Sequence, residues 1–374
     1  MNTGIDDNDK IRLLIVVPSL QCGGSEKHAT VLCNNIDTQK FLVTLVVLNN
    51  ENPFYNIHNK AITVINLKVK QVRYAAFKLR MVIKKIQPDI IYTNANHLNL
   101  FFALFKKFMA KKIKVVARES SVVSSNSKRA KFPVLYNRLL KKYYKRLNYF
   151  ICQSGYMQQD LIDNYDISKE KTVVINNPAE ESVAAVNASS QIKLLTVARL
   201  SEEKGIDRLI RSVAKLTIPF TYHIIGDGDQ QQALQQLISS LHLEDKVFLE
   251  GEKNNPFEGM EDATLFLMGS YYEGFPNTLL EAGALGIPAV AYDAPGGINE
   301  IINNGETGFV VKGNDAAAFK LAIEEAIHTN FNRISIQQMV LQKFPLNPII
   351  RAAENLFMQL YKQKTGTLPE QNNF

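Results

Sequence analysis

Apolar residues in this chain gather in short unbroken runs rather than alternating with polar ones. IRLLIVVPSL (11–20) is the first, closed by a proline and a serine. A continuous run of that length fits a strand buried on both faces of a parallel sheet. The theme returns in FLVTLVVL (41–48), AITVINL (61–67), PDIIYTN (88–94), KIKVVARE (112–119), RLNYFICQS (146–154) and KTVVINNP (171–178). Helical patterns lie between these runs, so the first half predicts a doubly wound α/β domain over 1–178. AEESVAAVNASSQ (179–191) is small, polar and poor in large apolar residues, which marks a linker. IKLLTVARL (192–200) restarts the pattern, and FTYHIIGDG, KVFLEG, ATLFLMGS and IPAVAYD continue it. A second domain of the same design is predicted over 192–345. NPIIRAAENLFMQLYKQ places apolar residues near i, i+3, i+4 and i+7, predicting a last helix over 346–364 and a frayed tail at 365–374.

A length of 374 residues agrees with two cores rather than one. Cys22, Cys33 and Cys152 form no CxxC pair and no even-numbered framework, so a reducing compartment is expected. The start, MNTGIDDNDK, is polar and acidic, unlike a secretory signal, and no apolar run reaches the ~18 residues of a spanning helix. The expected location is cytoplasmic.

Charge adds one element to this picture. The net charge of +7 hides a basic first half and an acidic second half. Residues 101–146 hold 14 Lys and Arg against one acid, Glu119, interleaved with aromatic and aliphatic residues in FFALFKKFMAKKIK and FPVLYNRLLKKYYKRL. That mixture predicts contact with an anionic membrane surface, with a plain solvated basic face as the alternative, rather than with nucleic acid.

Candidate chemistry concentrates in the loops that follow the strands of the second half, where open α/β sheets bind ligands. Arg199, near the end of IKLLTVARL, and Lys204, just beyond it, are two cations at a strand-to-helix junction, suited either to a diphosphate or to surface ion pairs. In GDGD (226–229), Asp227 and Asp229 read as a turn with helix-capping acids rather than as a metal site. In YYEGFPNTLLEAGALGIP (271–288), Glu273 and Glu281 stand either side of seven residues, with Pro276 opening a helix. Backbone amides of Asn277, Thr278 and Leu279 at that helix start suit phosphate oxygens, and Glu281 could hold ribose hydroxyls. Either acid could instead simply complement the helix dipole.

The stretch from Ser270 to Pro288 resembles the E-x7-E signature of the retaining family-4 (group 1) glycosyltransferases, which have the GT-B fold. VARLSEEKGIDRLI, IIGDG and PGGINEIINNGETGFVV resemble further segments of that family, the last its closing loop. VVPSLQCGGSEKHA and VVINNPAE resemble parts of its first domain. The resemblance implies two Rossmann-like domains facing a central cleft, with the C-terminal helix crossing back to the first. It implies a nucleoside diphosphate sugar as donor, often UDP-linked, and no cofactor or metal. By the same resemblance Arg199 and Lys204 bind the diphosphate and Glu273 the donor sugar. Donor contacts extend to Gly23, Gly24, Phe275, Asn277, Thr278, Leu279 and Glu281. Many relatives carry a histidine after the strand matching KIKVVARE, where this chain has Arg118, Glu119 and Ser120. Arg118, Glu119 and His97 are therefore candidates for the acceptor side. The expected activity is metal-independent transfer to a lipid-linked or surface-polysaccharide acceptor, as in lipopolysaccharide or capsule synthesis, at the inner face of the plasma membrane.

Two rivals stay open at this point: a nucleotide-sugar isomerase of the same fold, and a nucleotide-binding protein without catalysis. A dinucleotide-dependent oxidoreductase fits poorly, because CGGSEKH is not a G-x-G-x-x-G turn.

Overall fold

The computed structural model describes residues 9–181 and 191–365. The linker expected over 179–191 lies mostly outside these residues, and so does nearly all of the tail expected at 365–374. The chain divides into two compact units, residues 1–177 with 347–374, and residues 178–346.

In unit 1, seven strands form one parallel sheet: β1 (Ile11–Val17), β2 (Phe41–Val47), β3 (Thr63–Asn66), β4 (Ile90–Thr93), β5 (Lys114–Arg118), β6 (Tyr149–Cys152) and β7 (Thr172–Val174). Their order is β3-β2-β1-β4-β5-β6-β7, with β1 in register between Phe41–Val47 on one side and Ile90–Thr93 on the other. Leu13 to Val17 are fully enclosed, which is why the run IRLLIVV tolerates no alternation. The helices are α1 (Gly24–Asn35), α2 (Val72–Ile86), α3 (Asn96–Phe105), α4 (Val123–Lys128), α5 (Pro133–Tyr143) and α6 (Gly155–Tyr165). Inner faces of α2, α3, α5 and α6 share one core through Leu79, Phe102, Leu140 and Leu161.

Unit 2 repeats the design with six strands: β8 (Lys193–Val197), β9 (Thr221–Ile225), β10 (Val247–Leu249), β11 (Leu265–Met268), β12 (Ala289–Tyr292) and β13 (Gly308–Val311). Their order, β10-β9-β8-β11-β12-β13, reverses between β8 and β11, which pair through Leu194–Leu265 and Leu195–Phe266. The loops leaving these two neighbours diverge to opposite sides, and that opening is the topological switch point of the sheet. The helices are α7 (Ile206–Val213), α8 (Gln231–Ser240), α9 (Asn277–Ala284), α10 (Ile298–Ile301), α11 (Ala316–His328) and α12 (Arg333–Lys343).

The last helix, α13 (Leu346–Thr365), belongs mostly to unit 1. Phe357 meets Phe41 and Tyr92 edge-on, at ring-centroid distances of 6.1 and 5.7 Å. The Glu354 carboxylate accepts the Asp37 amide at 2.7 Å. The expectation that this helix crosses back onto the first domain therefore holds.

Candidate active site

The switch point of unit 2 is built by the loops after β8 and β11. After Val197 the chain turns through Ala198–Ser201 into a single 3-10 turn, Glu202–Lys204, and enters α7 at Gly205. Gly205 adopts φ 57°, a left-handed conformation, and a Cβ there would strike the carbonyl oxygen of Gly269. Glycine is needed on both counts, because the two loop backbones touch at that point.

This contact carries Lys204 and Glu273 to each other. Lys204 Nζ lies 2.6 Å from Glu273 Oε1, with side-chain exposures of 23% and 10%. Ser270 Oγ donates to the same oxygen at 2.5 Å, so the carboxylate is oriented from two sides. The Glu273 amide is fixed to the Pro295 carbonyl at 2.9 Å. Gly296, at φ 133°, sits so close over the Glu273 carbonyl that a Cβ would collide with it.

Arg199 stands at the other end of the 3-10 turn, and its side chain is 69% exposed. It pairs with Glu203 at 2.8 Å, and its Nε donates to Ser201 Oγ at 3.3 Å. Burial alone would raise the Glu203 carboxyl, yet hydrogen bonds from Ser201 and Arg199 hold it below its ordinary value. Both cations are thus held by carboxylates on the rim where a diphosphate is expected.

Pro276 caps α9 at φ −72° and ψ 110°, and the helix runs from Asn277. The amides of Thr278 and Leu279 fall in the first turn, where helix geometry provides no acceptor within the helix. Glu281 is half-buried on the second turn. Phe275 departs from expectation. Its ring is 4% exposed, packs edge-on against Phe344 at 5.2 Å and lies under Gly297. A side chain enclosed in this way supports the loop and offers a donor no contact.

GDGD forms a turn against the β8 loop: the Leu200 amide donates to the Asp227 carbonyl at 2.9 Å. Asp227 Oδ1 accepts the Gly228 amide, whereas the cap of α8 is Gln230 and makes no side-chain bond. The turn expectation stands and the helix-capping one does not.

One residue of this site escaped the sequence reading. Arg208, on α7 and 7% exposed, donates to the carbonyls of Gly269 (2.6 Å) and Ser270 (2.5 Å) and to Asn314 Oδ1 (3.1 Å). Its guanidinium lies 4.1 Å from the Tyr271 ring centroid and 4.0 Å from that of Tyr292. It therefore pins the backbone immediately before Glu273. In the sequence IDRLIRSV it looks no different from the exposed Arg211.

In unit 1 the candidates scatter. Gly23 precedes α1 with an extended backbone, and a Cβ there would meet only the flexible Glu26 carboxylate; Gly24 opens the helix. His97 is exposed on the first turn of α3 rather than on a loop. Arg118 and Glu119 are 1% and 0% exposed and face inward. Arg118 donates to Asn177 Oδ1, and the Asn177 amide continues to Gln153 Oε1 at 3.0 Å. Glu119 Oε1 accepts from Asn99 at 3.1 Å, and burial pushes its carboxyl up to about 8. Enclosed side chains cannot meet an acceptor, so these two residues brace the strand ends instead.

The glycosyltransferase family 4 model matches residues 22–182, and the model described as glycosyl transferases group 1 matches residues 179–339. The chain belongs to the group 1 / family 4 glycosyltransferases. It is 29% identical over 315 residues to a Campylobacter jejuni enzyme, covering 80% of this chain and 86% of that one. The enzyme is named N-acetylgalactosamine-N,N'-diacetylbacillosaminyl-diphospho-undecaprenol 4-alpha-N-acetylgalactosaminyltransferase. Among solved structures, sucrose-phosphate synthase of Thermosynechococcus elongatus superposes with a TM-score of 0.79 at 16% identity, over 95% of this chain and 100% of that one. Anabaena HepE in complex with UDP-glucose superposes with a TM-score of 0.75 at 20% identity, over 92% and 99%. The fold is GT-B.

Proposed function

We propose that this glycosyltransferase moves a sugar, with retention, from a UDP-linked donor to a lipid-linked or polysaccharide acceptor. The observation that carries the reading is the convergence of Arg199, Lys204, Glu273 and the start of α9 on one switch point. Arg199 and Lys204 grip the diphosphate, the first-turn amides of α9 take phosphate oxygens, Glu281 holds the ribose and Glu273 the donor sugar. Unit 1 receives the acceptor.

In this reaction the bond from the anomeric carbon to the diphosphate breaks and a bond to the acceptor oxygen forms on the same face. The acceptor proton passes to the departing diphosphate. Lys204 and Arg199 stabilise the charge growing there, so the transfer is metal-independent and rests on positioning and electrostatics. Glu273 makes a poor nucleophile because Lys204 and Ser270 already engage Oε1. A covalent sugar–enzyme intermediate of the kind hydrolases form is therefore disfavoured.

The C. jejuni relative, whose named substrate is a diphospho-undecaprenol-linked sugar, supports a lipid-linked acceptor. Crystallisation of HepE with UDP-glucose supports the UDP donor. The basic segment 101–146 would hold unit 1 at the anionic inner face of the membrane. No helix among the described residues is long and apolar enough to cross it.

The test is incubation with a panel of nucleotide sugars and a lipid extract, following UDP release and labelled glycolipid. Transfer requires both products. An isomerase would interconvert the donor without acceptor, and a binding protein would release no nucleotide.

A further inference from the structure

Fourteen large apolar side chains stand exposed among the described residues, and eight of them lie in one stretch of unit 1. Three are on α2 (Tyr74, Phe77, Met81), Phe105 closes α3, Phe108 lies in the 3-10 turn Lys106–Phe108 that follows it, and three stand at the start of α5 (Phe132, Val134, Leu135). Single exposed apolar residues need no explanation, whereas clustered ones mark an interaction surface. The three helices share a core on their inner side, and α3 packs against both α2 and α5. Their outer sides therefore make one continuous face.

On α2, Ala75 and Leu79 are buried while Tyr74, Phe77 and Met81 repeat at i, i+3 and i+7 on the opposite side. Phe77 is 73% exposed, so α2 carries a second apolar stripe that the protein's own core leaves uncovered. Arg73, Arg80 and Lys84 run along its edge. Basic groups also accompany the exposed rings: Arg73 lies 4.8 Å from the Tyr74 centroid, Lys107 4.6 Å from Phe108 and Lys131 5.9 Å from Phe132. Residues 68–147 contain 21 Lys and Arg and two acids. One of these, Glu119, is buried, and the other, Asp89, accepts the Arg12 amide at 2.9 Å. The face therefore presents cations with no fully exposed carboxylate among them.

We propose that the outer face of α2, α3 and α5 docks on an anionic lipid bilayer, with the Tyr74–Phe77–Met81 stripe of α2 entering the interface. Charge complementarity selects this occupant. Cations meet the headgroups, while Met81, Val134 and Leu135 offer aliphatic carbon that suits acyl chains rather than stacked bases. Segment 101–146, the basic stretch evident in the sequence, supplies only part of the surface. The inference deepens the reading of a lipid-linked acceptor, on which its purpose rests. Vesicle binding is measured without donor or acceptor, so either reading can fail alone.

The experiment is co-sedimentation of the full chain with phosphatidylcholine vesicles, with and without phosphatidylglycerol, at rising salt. Wild type should bind the anionic vesicles and release from them as salt rises. Phe77→Ser with Met81→Ser, and separately Lys84→Glu with Lys85→Glu, should each weaken partition by roughly tenfold. Leu321→Ser, at an exposed position of unit 2, should change nothing, and circular dichroism should be unaltered in all. Equal binding by the α2 variants, or equal binding to neutral vesicles, would overturn the proposal. So would a wild-type oligomer in light scattering that the Phe77→Ser, Met81→Ser variant converts to monomer.

Discussion

Lys204 and Glu273, 69 residues apart in sequence, form a 2.6 Å ion pair that joins the loops on either side of the switch point of unit 2. The two ends of the proposed donor site are therefore coupled. The cation assigned to the diphosphate is held by the carboxylate assigned to the sugar, and Lys204 must turn toward phosphate or share itself when donor binds. Lys204→Ala should lower transfer by about a hundredfold or more, in line with loss of one charge-stabilising group, and should weaken UDP. Glu273→Gln should separate the two effects: UDP affinity by calorimetry stays equal or tightens, while turnover falls. Parallel loss of UDP affinity in both variants would contradict the coupling.

Arg208 is a positioning residue for that pair. Its guanidinium supplies two carbonyls that would otherwise lie buried without a donor, so Arg208→Met should cost about 2–5 kcal/mol of stability. Arg208→Lys keeps the charge and loses the planar fork. In that variant kcat should fall with the thermal midpoint lowered only modestly, whereas a purely structural role would leave the kcat of the folded fraction unchanged.

Gly205 tests the close contact of the loops. A side chain there meets the Gly269 carbonyl at a left-handed backbone. Gly205→Ala should therefore raise the donor KM and destabilise unit 2. Gly23→Ala, where the backbone is extended, should do much less. Donor titrations on the two variants check this.

Glu119 gives the fold a dependence on pH. Burial raises its carboxyl to about 8 in the folded chain, against an ordinary carboxylate value near ~4.3 once unfolded. Between those values the folded state keeps a proton that the unfolded state has released. Stability from this group therefore falls as pH rises from about 4.3 to about 8 and levels off above. Glu119→Gln removes that slope. Urea midpoints of the variant and the wild type should lie closest near pH 5, with the variant the more stable by pH 8.5.

Much of this architecture was legible because a parallel sheet demands unbroken apolar strands, and β1, β2 and β8 are written that way. Part of PGGINEIINNGETGFVV was not: the resemblance read it as a loop, yet GFVV is β13, too short to announce itself without its partner β12. Arg199, Lys204 and Glu273 were found as rim residues, but the pairing of the last two depends on two glycines meeting across 64 positions, a tertiary event. Arg118 and Glu119 were misplaced for the opposite reason. Polar residues at a strand end look like rim groups in sequence, and only the fold shows that Asn99, Gln153 and Asn177 supply partners inside. Arg208 failed similarly, since an arginine beside an apolar helical stripe usually reaches solvent.

The central claim, retaining transfer from a UDP-linked sugar by the Arg199–Lys204–Glu273 site, is most directly tested by proton NMR of the product formed from an α-configured donor and lipid acceptor. An α-linked glycolipid appearing with UDP, and lost in Lys204→Ala, is the predicted result. A β-linked product, or full turnover in that variant, would contradict it.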